Sequence, residues 1–344
     1  MVEKKQEEMI LKEMHDLIYK LKRSRSKSKT YYLGCDISML YDICIDLNIT
    51  PPDFEKYSCR SEIDMPSKRI SLYDIIENNL NFVVGINKVY KELVKKYPNI
   101  IRFYNNNSFG YMDSNTSSLI AETFLEDYDK DLLIQYKNMV NKNRIIKQED
   151  KDGVNYGMTY PFLSLNDPYI VLYSNYNISD AITLVHEMAH VDEYNIKRYY
   201  NLKDKIYTYN IYVEVYSYFM ELVFYNFLDK CGYNKNEVRD LRMKYDSILL
   251  RYMAHFVDNI YEDDRLLLEQ SLNGIYGMSL AYYFYDIYLT DKEKAKHLIK
   301  RMIEINYEEN IYKILNELDI NDEEINKCSY IKKHIYNNFS HLIS

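Results

Sequence analysis

The chain has 344 residues, 47% of them hydrophobic, which is enough for one large or two modest domains with a sizeable core. Its formal net charge of −8 argues against a nucleic-acid partner, because domains that bind nucleic acid are usually basic. No stretch reaches the ~20 apolar residues that a membrane span needs.

The five cysteines, Cys35, Cys44, Cys59, Cys231 and Cys328, are scattered, with neither zinc-finger nor redox-motif spacing, and read as free thiols in a reducing compartment. The first residues, Met-Val-Glu-Lys-Lys-Gln-Glu-Glu, lack the apolar core of a signal peptide. Cytoplasmic residence is therefore the expectation, with export by a route that needs no signal peptide left open. Tyrosine is abundant at 39 copies and tryptophan absent, a bias that an AT-rich coding sequence explains better than an aromatic recognition surface does.

In chain order, residues 5–23 carry apolar side chains at Ile10, Met14, Leu17, Ile18 and Leu21, the spacing of an amphipathic helix. Ser24-Arg-Ser-Lys-Ser-Lys29 reads as a basic, solvated linker. A second strong helix is predicted over 72–96, ended by Pro98. The Asn-rich stretch 99–115 suits a turn or short hairpin, and 118–144 returns to helix. Residues 152–177 change character, with Tyr, Val, Ile and Leu punctuated by Gly157, Pro161 and Pro168. They predict a small sheet whose best strand is Tyr169 to Ser174. From 180 onward helices run nearly unbroken, and no internal repeat is present.

The chemistry concentrates in residues 186–190, His-Glu-Met-Ala-His. On a helix, positions four apart share one face, so His186 and His190 can offer imidazole nitrogens to one metal ion. Glu187 stands beside them, placed to take a proton from a metal-bound water, whose pKa zinc lowers from ~15.7 to about 7. A chance His-x-x-x-His on a charged helix is the bland alternative. The flanks speak against it. Ile182, Val185 and Ala189 give this helix a buried face, and Asn177, Ser179 and Asp180 supply N-cap candidates. A catalytic zinc takes three protein ligands and leaves a place for water. The best candidate for the third is Glu214, in an apolar, helix-like stretch where Glu214, Ser217 and Glu221 lie at i, i+3 and i+7. A solvated helix position is the competing reading for each glutamate, and for Glu221 the two readings balance.

Residues 166–190 closely resemble the thimet oligopeptidase and oligoendopeptidase F family of gluzincin-like zinc peptidases. In that family an aliphatic strand leads through an acidic turn into Leu-x-His-Glu-x-Gly-His. The family's second element, Glu-x-x-Ser-x-x-x-Glu, matches Glu214, Ser217 and Glu221, and its Lys-x-Gly-Ala-Tyr segment resembles Lys151 to Gly157. The resemblance covers roughly residues 70–290 and departs in three places. Ala189 stands for a glycine, Glu193 for a further histidine, and Ser271 for a histidine in the tyrosine-rich stretch 271–283, where Tyr276 and Tyr283 survive.

The resemblance implies a mainly α, zincin-like catalytic domain over 69–344, with a small sheet before the metal helix, preceded by an N-terminal helical and linker region over 1–68. It implies a shortened member that lacks most of the family's N-terminal helical half. It implies one Zn²⁺ held by His186, His190 and Glu214, with Glu187 as base and Tyr276 or Tyr283 sharing the oxyanion charge. Asp180 and Glu221 would fix imidazole tautomers, and Ser217 would let the two metal helices pack closely. The sheet would hold an extended peptide by its edge. The expected activity is hydrolysis of internal peptide bonds in oligopeptides. Two alternatives stay open: a protease toxin that cleaves a folded protein, and a catalytically silent zinc- or peptide-binding module. Oligomeric state and cleavage preference are not legible.

Overall fold

In the computed structural model, residues 4–52, 76–97, 109–149, 156–165, 167–202, 212–259, 265–305 and 311–340 are described. The chain divides into two units, residues 1–68 with 110–194 and residues 69–109 with 195–344. The helices α1 (Lys4–Lys22), α2 (Lys27–Asp46), α3 (Leu80–Lys96), α4 (Ser114–Tyr128) and α5 (Lys130–Asn141) come first. Three strands follow, β1 (Ile145–Glu149), β2 (Gly157–Tyr160) and β3 (Tyr169–Ser174). The remaining helices are α6 (Ser179–Tyr199), α7 (Val215–Lys230), α8 (Lys235–Asn259), α9 (Arg265–Thr290), α10 (Lys292–Glu304), α11 (Ile311–Glu317), α12 (Asp322–Lys327) and α13 (Ser329–Phe339). The architecture is mainly α with one small sheet just before the helix that carries the pentad, as the sequence leads one to expect.

The first unit is layered around the sheet. Its strand order is β1-β3-β2, with β1 parallel and β2 antiparallel to β3. Side chains alternate across the pleat. One face carries Ile146, Tyr160, Tyr169 and Val171 into a common core with Ile10, Met14, Leu17, Leu33, Ile37 and Leu40 of α1 and α2. The other face presents Lys147, Gly157 and Thr159 toward α4 and α6. Cover on both faces is why β3 is almost uniformly apolar and buried. Glu13 ties α1 to this layer. It accepts from the Arg144 guanidinium at 2.8 and 2.5 Å and from the Tyr169 hydroxyl at 2.7 Å. Residues 1–68 and the sheet thus belong to one unit.

Several local expectations change. The basic linker is shorter than its composition suggests, because Ser26 accepts from the Lys29 amide and residues 27–29 form the first turn of α2. The helix expected over 118–144 is two helices. Asp129 parts them with an extended backbone, φ −158° and ψ 117°, and caps the second by accepting from the amides of Asp131 and Leu132 at 2.9 and 3.4 Å. Strand β1 is unannounced, since Ile-Ile-Lys-Gln-Glu shows no clean alternation. The part of the predicted helix over 72–75, most of 99–115, and Lys151 to Gly153 lie outside the described residues.

In the second unit α9 is central and packs against α7, α8, α10 and α13. It buries Tyr276, Tyr282 and Phe284, and α7 adds Phe219, Met220 and Phe224 to the unit's core. Such all-round burial explains why neither helix reads as sharply amphipathic. Within the described residues no helix is long and apolar enough to cross a membrane. Cys35, Cys44, Cys231 and Cys328 form no disulfide among the described residues, and Cys59 lies outside them.

Candidate active site

The turn from β3 into α6 sets the direction of the pentad helix. Asn177 Oδ1 accepts from the Ser179 amide at 2.8 Å. Asp180 accepts from the Asn175 and Tyr176 amides at 2.9 and 3.1 Å and from the Ser174 hydroxyl. Tyr176 takes a left-handed backbone, φ 54°, which this web of bonds holds in place. Among the described residues every hydrogen bond to the Asp180 carboxylate comes from this turn, so the structure places it at the helix entry.

Four residues per near-turn bring His186 and His190 to one face of α6, with ring centroids 5.1 Å apart and planes at 69°. Both imidazoles are partly exposed, whereas Glu187 between them is only 4% exposed. A carboxylate so enclosed needs partners. Thr159 on β2 supplies one, its Oγ1 lying 2.8 Å from Glu187 Oε2 and 3.1 Å from the Glu187 carbonyl oxygen. Two residues earlier on the same strand face stands Gly157. A Cβ there would fall 2.7 Å from Glu187 Cγ, 2.8 Å from Thr183 Cγ2 and 2.9 Å from Glu187 Oε1. Strand β2 can therefore lie this close to α6 only with glycine at 157.

Glu193, one turn beyond His190, is also buried, and its Oε2 lies 3.9 Å from His190 Nδ1. At this distance the two are close enough to interact electrostatically but not to hydrogen-bond. On the neighbouring β1, Lys147 donates to the Ser114 carbonyl at 3.0 Å and the Ser114 hydroxyl at 2.9 Å, and also to the Ser118 hydroxyl. Burial lowers its pKa, with Asp180 and Asp113 acting the other way.

The remaining expected residues belong to the second unit. Glu214 is the N-cap of α7, not a residue of its interior, and its side chain makes no capping bond. Ser217 Oγ lies 3.0 Å from both the Glu214 Oε2 and its carbonyl oxygen, so the hydroxyl steadies the carboxylate. From α9, Gly277 comes so close that a Cβ would sit 2.7 Å from Glu214 Cβ and 3.0 Å from Tyr218 Cδ2. Glu221, two turns on, accepts from the Tyr225 hydroxyl at 3.1 Å.

The two tyrosines have different settings. Tyr276 is fully buried, its ring 4.9 Å from Phe82 and 5.8 Å from Tyr212, and its hydroxyl has no hydrogen-bond partner among the described residues. Burial raises its pKa well above the ordinary value. Tyr283 is partly exposed, packs against Tyr330, and lines a cleft of about 410 Å³ with Lys294, His297 and Arg301. Burial and the nearby Glu324 push its phenol up to about 12.

Sequence reasoning singled out the pentad and Glu214 but gave no sign that Gly157 and Thr159 lie against Glu187. The only available signal was their i, i+2 placement in a short strand, which says that they share a face without saying what that face meets.

No family model and no curated protein sequence matches the chain. Its structure, however, matches a Pz peptidase A solved with an inhibitor, with a TM-score of 0.58 at 13% identity over 77% of this chain and 58% of that one. It matches a candidate oligoendopeptidase F from Bacillus anthracis with a TM-score of 0.54 at 13% identity, over 96% of this chain and 69% of the other. A candidate peptidase from Chlamydophila abortus gives a TM-score of 0.54 at 13% identity, over 78% and 57%. The chain thus spans less than two thirds of the first and third of these proteins. Across more than three quarters of its length, this chain has the fold of the solved peptidase structures it matches.

Proposed function

We propose that the chain is a zinc-dependent peptidase of the oligoendopeptidase F kind that cleaves internal bonds of oligopeptides. The observation that carries this reading is the pentad on α6, with two imidazoles on one face and the intervening carboxylate buried under β2 and held by Thr159. A His, His, carboxylate donor set suits zinc with one position left open. In this reading His186, His190 and Glu214 hold one ion, Ser217 steadies the Glu214 carboxylate, and Gly277 leaves room for it. Glu193 places a carboxylate near the His190 ring, and Glu221 is the candidate for fixing an imidazole tautomer.

When bound, zinc supplies Lewis acidity, polarising a carbonyl and lowering the pKa of water to about 7. Glu187 takes the proton from the attacking water and delivers it to the leaving amine nitrogen, one group serving as base and then acid. Strand β2 ends the sheet order, and its outer edge has no strand partner among the described residues. An extended peptide added there gains main-chain hydrogen bonds without side-chain selectivity, beside Glu187. A tyrosine hydroxyl shares the oxyanion charge; Tyr283, which is partly exposed, is the better placed of the two, since the Tyr276 hydroxyl is enclosed in the core.

The test is metal analysis of the purified protein followed by incubation with a mixed peptide library read by mass spectrometry. About one zinc per chain and chelator-sensitive internal cleavage are expected. Stoichiometric zinc kept by a His186→Ala/Glu214→Ala double variant would refute the ligand set. Cleavage of folded proteins but not peptides would favour the protease-toxin reading.

A further inference from the structure

We infer that strand β2 is the positioning device for the proposed base, with Thr159 gripping one oxygen of Glu187 and Gly157 keeping the space beside the other. The inference rests on the peptidase reading and extends it to two residues outside the metal-binding motif. Thr159 and Gly157 lie on the same face of β2, because side chains two apart share a face, while Met158 between them points away and is 45% exposed. The face is imposed by register. Thr159 pairs with Ile170 and Gly157 with Leu172 of the buried central strand, so a slip of one residue would turn Met158 toward α6 and Thr159 away.

The two contacts divide the carboxylate. Thr159 Oγ1 is 2.8 Å from Oε2, within hydrogen-bonding range, and a hydroxyl can donate only one proton, here to the carboxylate or to the Glu187 carbonyl 3.1 Å away. Oε1 faces Gly157, where a Cβ would lie 2.9 Å from it and 2.7 Å from Cγ. Oε1 is thus the oxygen left to receive and release a proton. A glutamate side chain has three rotatable bonds, and an oriented base gains rate from each rotation removed beforehand. A hydrogen bond to one oxygen and a backbone wall against the Cγ remove them from the side opposite the helix. Thr159 is therefore a positioning residue acting through Glu187.

The test uses Thr159→Val, Thr159→Ser and Gly157→Ala in the full chain. Valine keeps the shape of threonine and removes the hydroxyl, whereas serine keeps the hydroxyl. With an internally quenched peptide, Thr159→Val is expected to lower kcat about 10- to 100-fold, the scale of a lost charge-assisted hydrogen bond or a misplaced reacting group, with KM within about twofold. Thr159→Ser is expected to recover most of the loss. Zinc content should match the wild type in both, which separates positioning of the base from damage to the metal site. Gly157→Ala is expected to lower kcat as well, since the added methyl must move Glu187 or the strand.

An activity-independent measurement accompanies these: the Tm values of Thr159→Val, Glu187→Ala and the double variant. If the two side chains interact, the double variant loses less than the sum of the singles. Additive Tm shifts with unchanged kcat would overturn the inference, as would a kcat loss that serine does not recover. If the wild type holds zinc poorly and cleaves nothing while the Tm shifts are non-additive, the contact is real but the peptidase reading fails, and the positioning role falls with it.

Discussion

Replacing Asp246 with asparagine should stabilise the second unit most at neutral and alkaline pH, with the gain shrinking as pH falls toward about 4. Asp246 on α8 is wholly buried. The Tyr282 hydroxyl donates to its Oδ1, and the Asn338 amide donates to its Oδ2 at 2.8 Å, so the carboxyl joins α8 to α9 and α13. Burial raises its pKa from 3.8 to about 7, and the two hydrogen bonds and the charge of Arg242 offset only part of that. A group whose folded pKa lies above its unfolded one binds more protons in the native state between those two values. Its contribution is therefore fully present below about pH 4 and is lost as pH rises through about 7. The difference between 3.8 and about 7 corresponds to roughly 4 kcal/mol at most. Asparagine keeps the shape, accepts from Tyr282 through its carbonyl and cannot ionise. Its amide requires Asn338 to turn its oxygen inward, which reduces the gain to a few kcal/mol. Urea unfolding followed by far-UV circular dichroism at about pH 4.5, 6 and 8 measures the effect. A difference between variant and wild type that stays constant across this range would refute the reasoning, because the penalty grows with pH between the unfolded and folded pKa values and must shrink toward about pH 4.

Glu187→Gln should retain zinc and fold but lose about 10²–10⁴-fold in hydrolysis, and a variant within tenfold of the wild type would show that Glu187 is not the base. Gly277→Ala should weaken zinc retention in competition with a chromogenic chelator, because the new methyl would press on the Glu214 Cβ 2.7 Å away, overpacking of a kind that costs about 1–3 kcal/mol. Tyr276→Phe should leave Tm unchanged or higher, since the hydroxyl it removes is buried without a partner among the described residues. If the tyrosine pair serves the oxyanion, Tyr276→Phe or Tyr283→Phe should lower kcat ~10²–10³-fold with little change in KM. Two Phe variants that both stay within a few-fold of the wild type would turn attention to His255 on α8, which lies 3.4 Å from the Arg251 Nε.

What the sequence determined by itself was local and periodic. The face shared by His186 and His190 follows from helical spacing alone, as do the buried faces of α1 and α6, and β3 was legible because an apolar run bounded by Pro168 and Asn175 can hardly be anything else. Glu214 stood out because a carboxylate in an apolar run needs a reason. The sequence also contained Asp129 in plain view, yet it could not say that this residue parts two helices, since an acid in a helical window reads equally well as a solvated side chain, and Asp180, legible as a cap candidate, binds the turn before the helix. Tertiary structure decided which faces meet. Thr159 lies 28 residues from Glu187 along the chain, and only the β3-anchored register of β2 brings its hydroxyl to that carboxylate. The same holds for Tyr276, whose enclosure by Phe82 and Tyr212 depends on α3 and on the approach to α7, and for Asp246, held by residues 36 and 92 positions away. Periodicity specifies that a face will be buried. The partner it is buried against depends on long-range packing, which a pattern of one side chain every two or every 3.6 residues does not encode.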